Sequence, residues 1–183
     1  MSIQAIKQTD TVFLGDSLTE SFDLIKHFGR NDIHNRGMSG NLTDHVIYRM
    51  EEITNAKPKT VFLMIGINDL FQGNSPETVF NNIEKILDKL IEETPDTWRY
   101  LQSILPVNEE RLLSDGRINV SIYQLNNRLE EYCIDQPMLN YINLHPDFLN
   151  HKGQMDSKYT YDGVHLTPSG YILWANLITE YLV

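Results

Sequence analysis

The chain has 183 residues, enough for one domain with a real core, and its 41% hydrophobic and 22% charged residues mark it as globular rather than disordered or fibrous. Its 15 basic and 25 acidic side chains give a formal charge of −10, which argues against duplex nucleic acid or an anionic membrane surface as partner. No stretch approaches the roughly 20 apolar residues of a membrane helix, and the polar N-terminal ten residues lack the apolar core of an export signal, so no membrane insertion and a cytoplasmic location are expected.

Residues 11–14, Thr-Val-Phe-Leu ending at Gly15, read as a buried strand. Leu18, Phe22, Ile25 and Phe28 follow at helical spacing. Residues 32–35 suggest a brief second strand before the glycine-rich turn 36–40. Thr43 is the expected cap of a helix carrying Val46, Ile47 and Met50. Residues 60–65 form the clearest buried strand and stop at Gly66. Ser75 and Pro76 suit the cap and first turn of a helix whose apolar face is Val79, Ile83, Ile86, Leu87, Leu90 and Ile91. A strand is expected over 99–105, closed by Pro106, then a charged, solvated loop over 109–117 and a helix over 118–134. A fifth strand over 138–144 and a helix from Thr167-Pro168 to Tyr181 complete the chain. Strands alternating with helices predict a single α/β domain spanning 1–183, a parallel sheet with helices on both faces.

In such sheets the working groups lie beyond the carboxyl ends of the strands. Gly15-Asp16-Ser17-Leu18 sits there, opening a helix. The position suits a helix cap, and it equally suits a nucleophile whose own backbone N–H is free for an anion. Gly37-Met38-Ser39-Gly40-Asn41 follows the second strand, where Gly40 offers an unobstructed N–H or simply a turn. Gly66-Ile67-Asn68-Asp69 follows the third, where the Asn68 amide is a donor for charge on a carbonyl oxygen or part of an ordinary Asn-Asp turn. Asp162 and His165 lie three apart before the last helix, on one side of a turn, so that the carboxylate can hold one imidazole nitrogen while the other faces away. Together these are the parts of acyl transfer: nucleophile, general base with its orienting acid, and oxyanion donors.

With those four segments in its order, the sequence resembles the GDSL family of esterases and lipases, in its SGNH hydrolase branch. The Ser, Gly, Asn and His for which the branch is named match Ser17, Gly40, Asn68 and His165, and Asp162 holds the Asp-x-x-His position. Residues 35–46, with Gly37, Gly40, Thr43 and His45, and the run Gln102-Ser103-Ile104-Leu105-Pro106 are similar to proteins of the platelet-activating-factor acetylhydrolase type. The resemblance implies a three-layer, flavodoxin-like α/β/α fold on a five-stranded parallel sheet. It implies a small-molecule ester as substrate, no metal and no cofactor, and it allows a homodimer. It also implies roles: Ser17 attacks, His165 takes its proton, Asp162 orients His165, and the N–H groups of Ser17 and Gly40 with the Asn68 side chain hold the oxyanion. Asp16 and Asp69 are expected to brace loops.

The remaining histidines show no ligand spacing such as His-x-x-x-His. His145, before Pro146 at a strand end, is placed near the pocket, and Met38 and Leu70 are expected to shape an acyl site. Tyr159 and Tyr161 are candidates to line an acyl or sugar site, Tyr171 and Trp174 to pack in the core. Cys133 reads as a packed, inert thiol. Two other classes fit the pattern: a sugar binder that has lost activity, and a flavodoxin-like receiver or flavin protein, for which Asp16 and Asp69 mimic a phospho-acceptor site. A short chain leaves little room for a lid, which favours small or soluble esters.

Overall fold

Short β-branched and aromatic runs need cover on both faces, and they find it by pairing in parallel under helices. A computed structural model describes residues 5–113 and 116–182. Among these, β1 (Thr11–Gly15), β2 (Ile33–Gly37), β3 (Thr60–Met64), β4 (Trp98–Gln102) and β5 (Leu139–Ile142) form one parallel sheet in the order β2-β1-β3-β4-β5. Side chains alternate across it. Val12, Leu14, Val61, Leu63 and Leu101 face a core built with α3 (Thr43–Arg49), α4 (Glu51–Ala56), α5 (Ile67–Phe71), α6 (Pro76–Glu93) and α8 (Ile118–Cys133). Phe13, Phe62 and Met64 face a second core with α1 (Ser17–Glu20), α2 (Leu24–Phe28) and α9 (Pro168–Ile178). There Phe13 stacks on Phe62 with centroids 4.6 Å apart, and buried Trp174 donates through Nε1 to Gln102 Oε1 at 2.7 Å. The result is the expected three-layer α/β/α arrangement. The order of strands reverses beside β1, which opens a crevice at the carboxyl ends of β1 and β3.

Several elements depart from the pattern read in the sequence. The helix expected along Leu18 to Phe28 is two short ones. Asn35 Nδ2 donates to the carbonyls of Thr19 at 2.6 Å and Phe22 at 3.0 Å, which ends α1, and Asp23 then caps α2 through the Lys26 N–H. The segment after Asn41 divides likewise, α3 giving way to α4 at Met50. Residues 67–71, where the sequence suggests no helix and Asn68-Asp69 allow a turn, form the single helical turn α5. It begins at Gly66, whose φ of +129° is open only to glycine and where a Cβ would lie 2.9 Å from Val79 Cγ1.

β4 ends at Gln102, not at 105, because side chains of α8 replace the next strand partner. Asn126 exchanges two hydrogen bonds with the backbone of Ile104, at 2.8 and 2.9 Å, and Asn119 does the same for Val107, at 2.9 Å each. The charged loop at 109–117 is also corrected, apart from residues 114–115, which lie outside the described residues. Its start is the short helix α7 (Glu109–Leu112), and Glu109 is buried, accepting from the N–H groups of Ile118 and Asn119 at 2.8 and 3.1 Å. A carboxylate there satisfies free donors at the start of α8 and complements its dipole. Glu109→Ala is expected to cost about 1–2 kcal/mol of stability, read as a lower urea midpoint at unchanged slope.

Ser75 caps α6 through the Thr78 N–H, and Thr167 caps α9 through Gly170, as the sequence suggests. Cys133 is buried, and burial pushes its thiol up to about 12, out of reach of thiolate chemistry at neutral pH. Among the described residues no helix is long and apolar enough to cross a membrane.

Candidate active site

The hydroxyl at the start of α1 and the imidazole before α9 meet across the crevice. Ser17 Oγ lies 3.1 Å from His165 Nε2, and His165 Nδ1 lies 2.7 Å from Asp162 Oδ2. An ionised carboxylate only accepts, so the ring proton belongs on Nδ1. That leaves Nε2 as an acceptor, and the Ser17 hydroxyl donates to it. Asp162 Oδ1 also accepts from the backbone N–H groups of Val164 at 2.9 Å and His165 at 2.8 Å, so the turn holds the carboxylate as the carboxylate holds the ring. Partial burial raises the Asp162 pKa. The hydrogen bonds from the His165 ring and the two N–H groups outweigh it and bring the carboxyl down to about 2. Asp162 is therefore ionised throughout the range in which an imidazole titrates.

Asp16 is buried and caps α1 by accepting from Leu18 N at 3.0 Å. Burial pushes its pKa up to about 6 against that hydrogen bond and the nearby His165, with Asp69 adding to the rise. The folded chain thus keeps this proton to about pH 6, whereas the unfolded chain loses it near the ordinary aspartate value of 3.8. Between those values the folded state binds more protons, so stability falls as pH rises through this window and levels off above it. Asp16→Asn keeps a capping acceptor. It is expected to flatten that slope and to stabilise the protein above pH 6 by on the order of 2–3 kcal/mol, checked by urea titrations on either side of the window.

Gly40 and Asn68 come to the same edge from the neighbouring loops. Gly40 takes a φ of +73° in the turn after β2, where a side chain would be strained. Asn68, at the start of α5, donates one Nδ2 hydrogen to the carbonyl of Asn41 at 3.0 Å, and an amide nitrogen has a second to give. The loop 38–41 is tethered on both sides. Glu20 accepts from the Ser39 N–H at 3.1 Å and from its hydroxyl. Arg49 donates from Nε to Asn41 Oδ1 and from Nη2 to the Gly15 carbonyl, each at 2.8 Å. Nothing in the local sequence singles out Glu20, Asn41 or Arg49, since their partners lie on other elements.

The other residues singled out in the sequence divide between braces, core and surface, some as expected and some not. Thr43 is not the cap of α3: Leu42 holds that position, its N–H meeting His45 Nδ1 at 3.2 Å. Thr43 instead gives both its N–H and its hydroxyl to Asp69, at 3.0 and 2.6 Å. Asp69 is thereby a buried brace rather than an exposed phospho-acceptor. Leu70 belongs to the core, while Met38 is exposed. His145 lines a separate cavity with Tyr123, Asn126, Tyr141 and Pro146, and burial lowers its pKa. Tyr159 packs edge-on against Phe148. Tyr161 is exposed on the wall of a groove it shares with Lys26, His27 and Tyr171. Tyr171 donates to the Leu18 carbonyl at 2.9 Å and stacks near Trp174 in the core. Among the described residues no three His, Cys, Asp or Glu side chains gather as metal ligands.

At the carboxyl ends of β1 and β3 is an apolar slot of about 10 Å³, lined by Leu18, Ile67, Pro106, Val107 and Val164 among others, with neither Ser17 nor His165 in its lining. Leu18 and Val164 flank Ser17 and His165 in the chain, and Ile67 precedes Asn68.

Comparison with known proteins gives a consistent picture. The profile of the GDSL-like Lipase/Acylhydrolase family matches residues 13–173. The human platelet-activating factor acetylhydrolase IB subunit alpha1 is 25% identical over 171 residues, covering 90% of this chain and 71% of that one. A solved structure described as a candidate platelet activating factor from Streptococcus pneumonia superposes with a TM-score of 0.86 at 28% identity, over 98% of this chain and 86% of that one. A GDSL-like lipase from Bacteroides thetaiotaomicron gives 0.83 at 25% identity, over 95% and 87% of the two chains.

Proposed function

Because the chain belongs to the GDSL-like lipase/acylhydrolase family and is a carboxylic ester hydrolase of the SGNH fold, we propose that it cleaves short acyl or acetyl esters through an acyl-enzyme on Ser17. The observation that carries this reading is the relay from Ser17 Oγ to His165 Nε2 and from His165 Nδ1 to Asp162. Ser17 Oγ attacks the acyl carbon while Nε2 takes its proton. Asp162 keeps the proton of the ring on Nδ1 and offsets the imidazolium charge. The carbonyl oxygen, now negative, accepts from the N–H groups of Ser17 and Gly40 and from the second Nδ2 hydrogen of Asn68. As the tetrahedral centre collapses, the ester C–O bond breaks and His165 returns its proton to the departing alcohol. Water then attacks the acyl-enzyme with His165 again as base, which frees the acid and restores Ser17.

The acyl-chain preference follows from taking that slot as the acyl site. Its lining residues adjoin Ser17, Asn68 and His165 in the chain, and its volume of about one water-sized group would suit the methyl of an acetyl ester rather than a long chain. The test is a series of p-nitrophenyl esters from acetate to palmitate, together with fluorophosphonate labelling read by mass spectrometry. The expected result is the highest kcat/KM at acetate or butyrate and an adduct on Ser17. A maximum at palmitate overturns the short-acyl preference. A wild-type chain that neither labels nor cleaves any ester overturns the mechanism.

A further inference from the structure

The three oxyanion donors sit on three separate loops, after β1, β2 and β3, and something must fix their spacing to a fraction of an ångström for them to converge on one oxygen. We propose that Arg49 is the positioning residue that sets this spacing, an inference that rests on the acyl-transfer reading of the site. Its guanidinium reaches two of the loops directly and the third through one intermediary. Nη2 holds the Gly15 carbonyl, two residues before Ser17. Nε holds the Asn41 side chain, one residue after Gly40. The Asn41 carbonyl in turn accepts from Asn68 Nδ2, so the orientation of that amide follows the placement of Asn41. Gly15 O also accepts from Met38 N at 3.1 Å, which places both ends of the glycine-rich loop on the Gly15–Arg49 axis.

The side chain suits the task. A guanidinium is planar and presents its donors in a rigid fork, so two acceptors are held at a set separation, whereas a lysine ammonium reaches one or the other. Arg49 is half-buried at the last turn of α3, and burial lowers its pKa, as expected for a group turned toward the site loops rather than into solvent. The helix that carries it is anchored independently, since Thr43 at its first turn gives two hydrogen bonds to buried Asp69.

The test compares Arg49→Ala, Arg49→Lys, Asn41→Ala and the Arg49→Ala/Asn41→Ala double variant on p-nitrophenyl acetate, with circular dichroism and thermal melting of each. Arg49→Ala and Asn41→Ala are each expected to lower kcat by about 30- to 100-fold with KM within about threefold, because misplaced donors weaken the transition state and not substrate binding. Arg49→Lys is expected to fall between wild type and Arg49→Ala. The double variant is expected to be no more than about threefold below the single variants, since both remove one linkage. The proposal is overturned if both single variants keep kcat within threefold of wild type, if the loss lies in KM, or if the effects multiply in the double variant. Asn41→Ala changes a loop side chain and leaves the α3 packing intact, so it decides the question even where Arg49→Ala does not fold. Wild-type enzyme that turns over ester and labels on Ser17 while these variants match it overturns this inference alone. Wild-type enzyme that does neither overturns the mechanism beneath it.

Discussion

Ser17→Ala is expected to lower kcat on p-nitrophenyl acetate by roughly 10⁴- to 10⁶-fold and to abolish fluorophosphonate labelling, with no loss of fold. The structure separates these effects. Among the described residues the hydroxyl bonds only to the His165 ring, whereas the cap of α1 is the carboxylate of Asp16, so removing Oγ leaves the helix start intact. The backbone N–H of residue 17 also survives, so part of the proposed oxyanion site is expected to persist and activity to stay above that of water. His165→Ala is expected to lose nearly as much as Ser17→Ala, and the double variant to be no worse than either, because nucleophile and base act as one unit. A loss below about tenfold in Ser17→Ala, at full purity, points to a different nucleophile.

Asn68→Ala is expected to lower kcat by roughly 10²- to 10³-fold with KM little changed, the cost of removing one preorganised donor. The amide is already fixed before substrate arrives, one hydrogen on the Asn41 carbonyl, so no reorganisation accompanies the reaction. Asn68→Asp keeps the shape but replaces the donor with acceptor oxygens that face the developing negative charge, and its loss is expected to exceed that of alanine. Comparable kcat with a raised KM in Asn68→Ala would make the residue a substrate contact.

Both predictions draw on residues visible in the sequence, because what identifies them is local. A strand, a glycine and then a polar group at a helix start is a pattern of adjacent positions, and it places Ser17, Gly40 and Asn68 on one edge as soon as the sheet is parallel. Asp162 and His165 are likewise three apart. What the sequence hid is long-range and runs from side chain to backbone. Thr43 has the profile of a cap, yet its hydroxyl is taken by Asp69 on the neighbouring loop. Asn119 and Asn126 look like polar positions on a helix, yet they finish the ladder that β4 abandons. Glu109 sits in a charged run, and its burial depends on where α8 begins. Arg49 carries no local signal because its acceptors belong to β1 and to the turn after β2. A helical pattern from Leu18 to Phe28 was legible, but its interruption depends on Asn35, a residue of another strand.

The hydrogen bond between Ser17 and His165 joins positions 148 residues apart, and Tyr171, which holds the Leu18 carbonyl, comes later still. In the proposed acyl transfer, the attacking group is therefore made well before the group that activates it. Until residues 162–165 are made and docked, that serine lacks its proposed base and is expected to behave as an ordinary alcohol. Docking of α9 against α1 is expected to arm it. A chain interrupted before residue 165, or one in which α9 has come loose, is expected to be silent rather than indiscriminate, so that docking of this segment and onset of hydrolysis coincide.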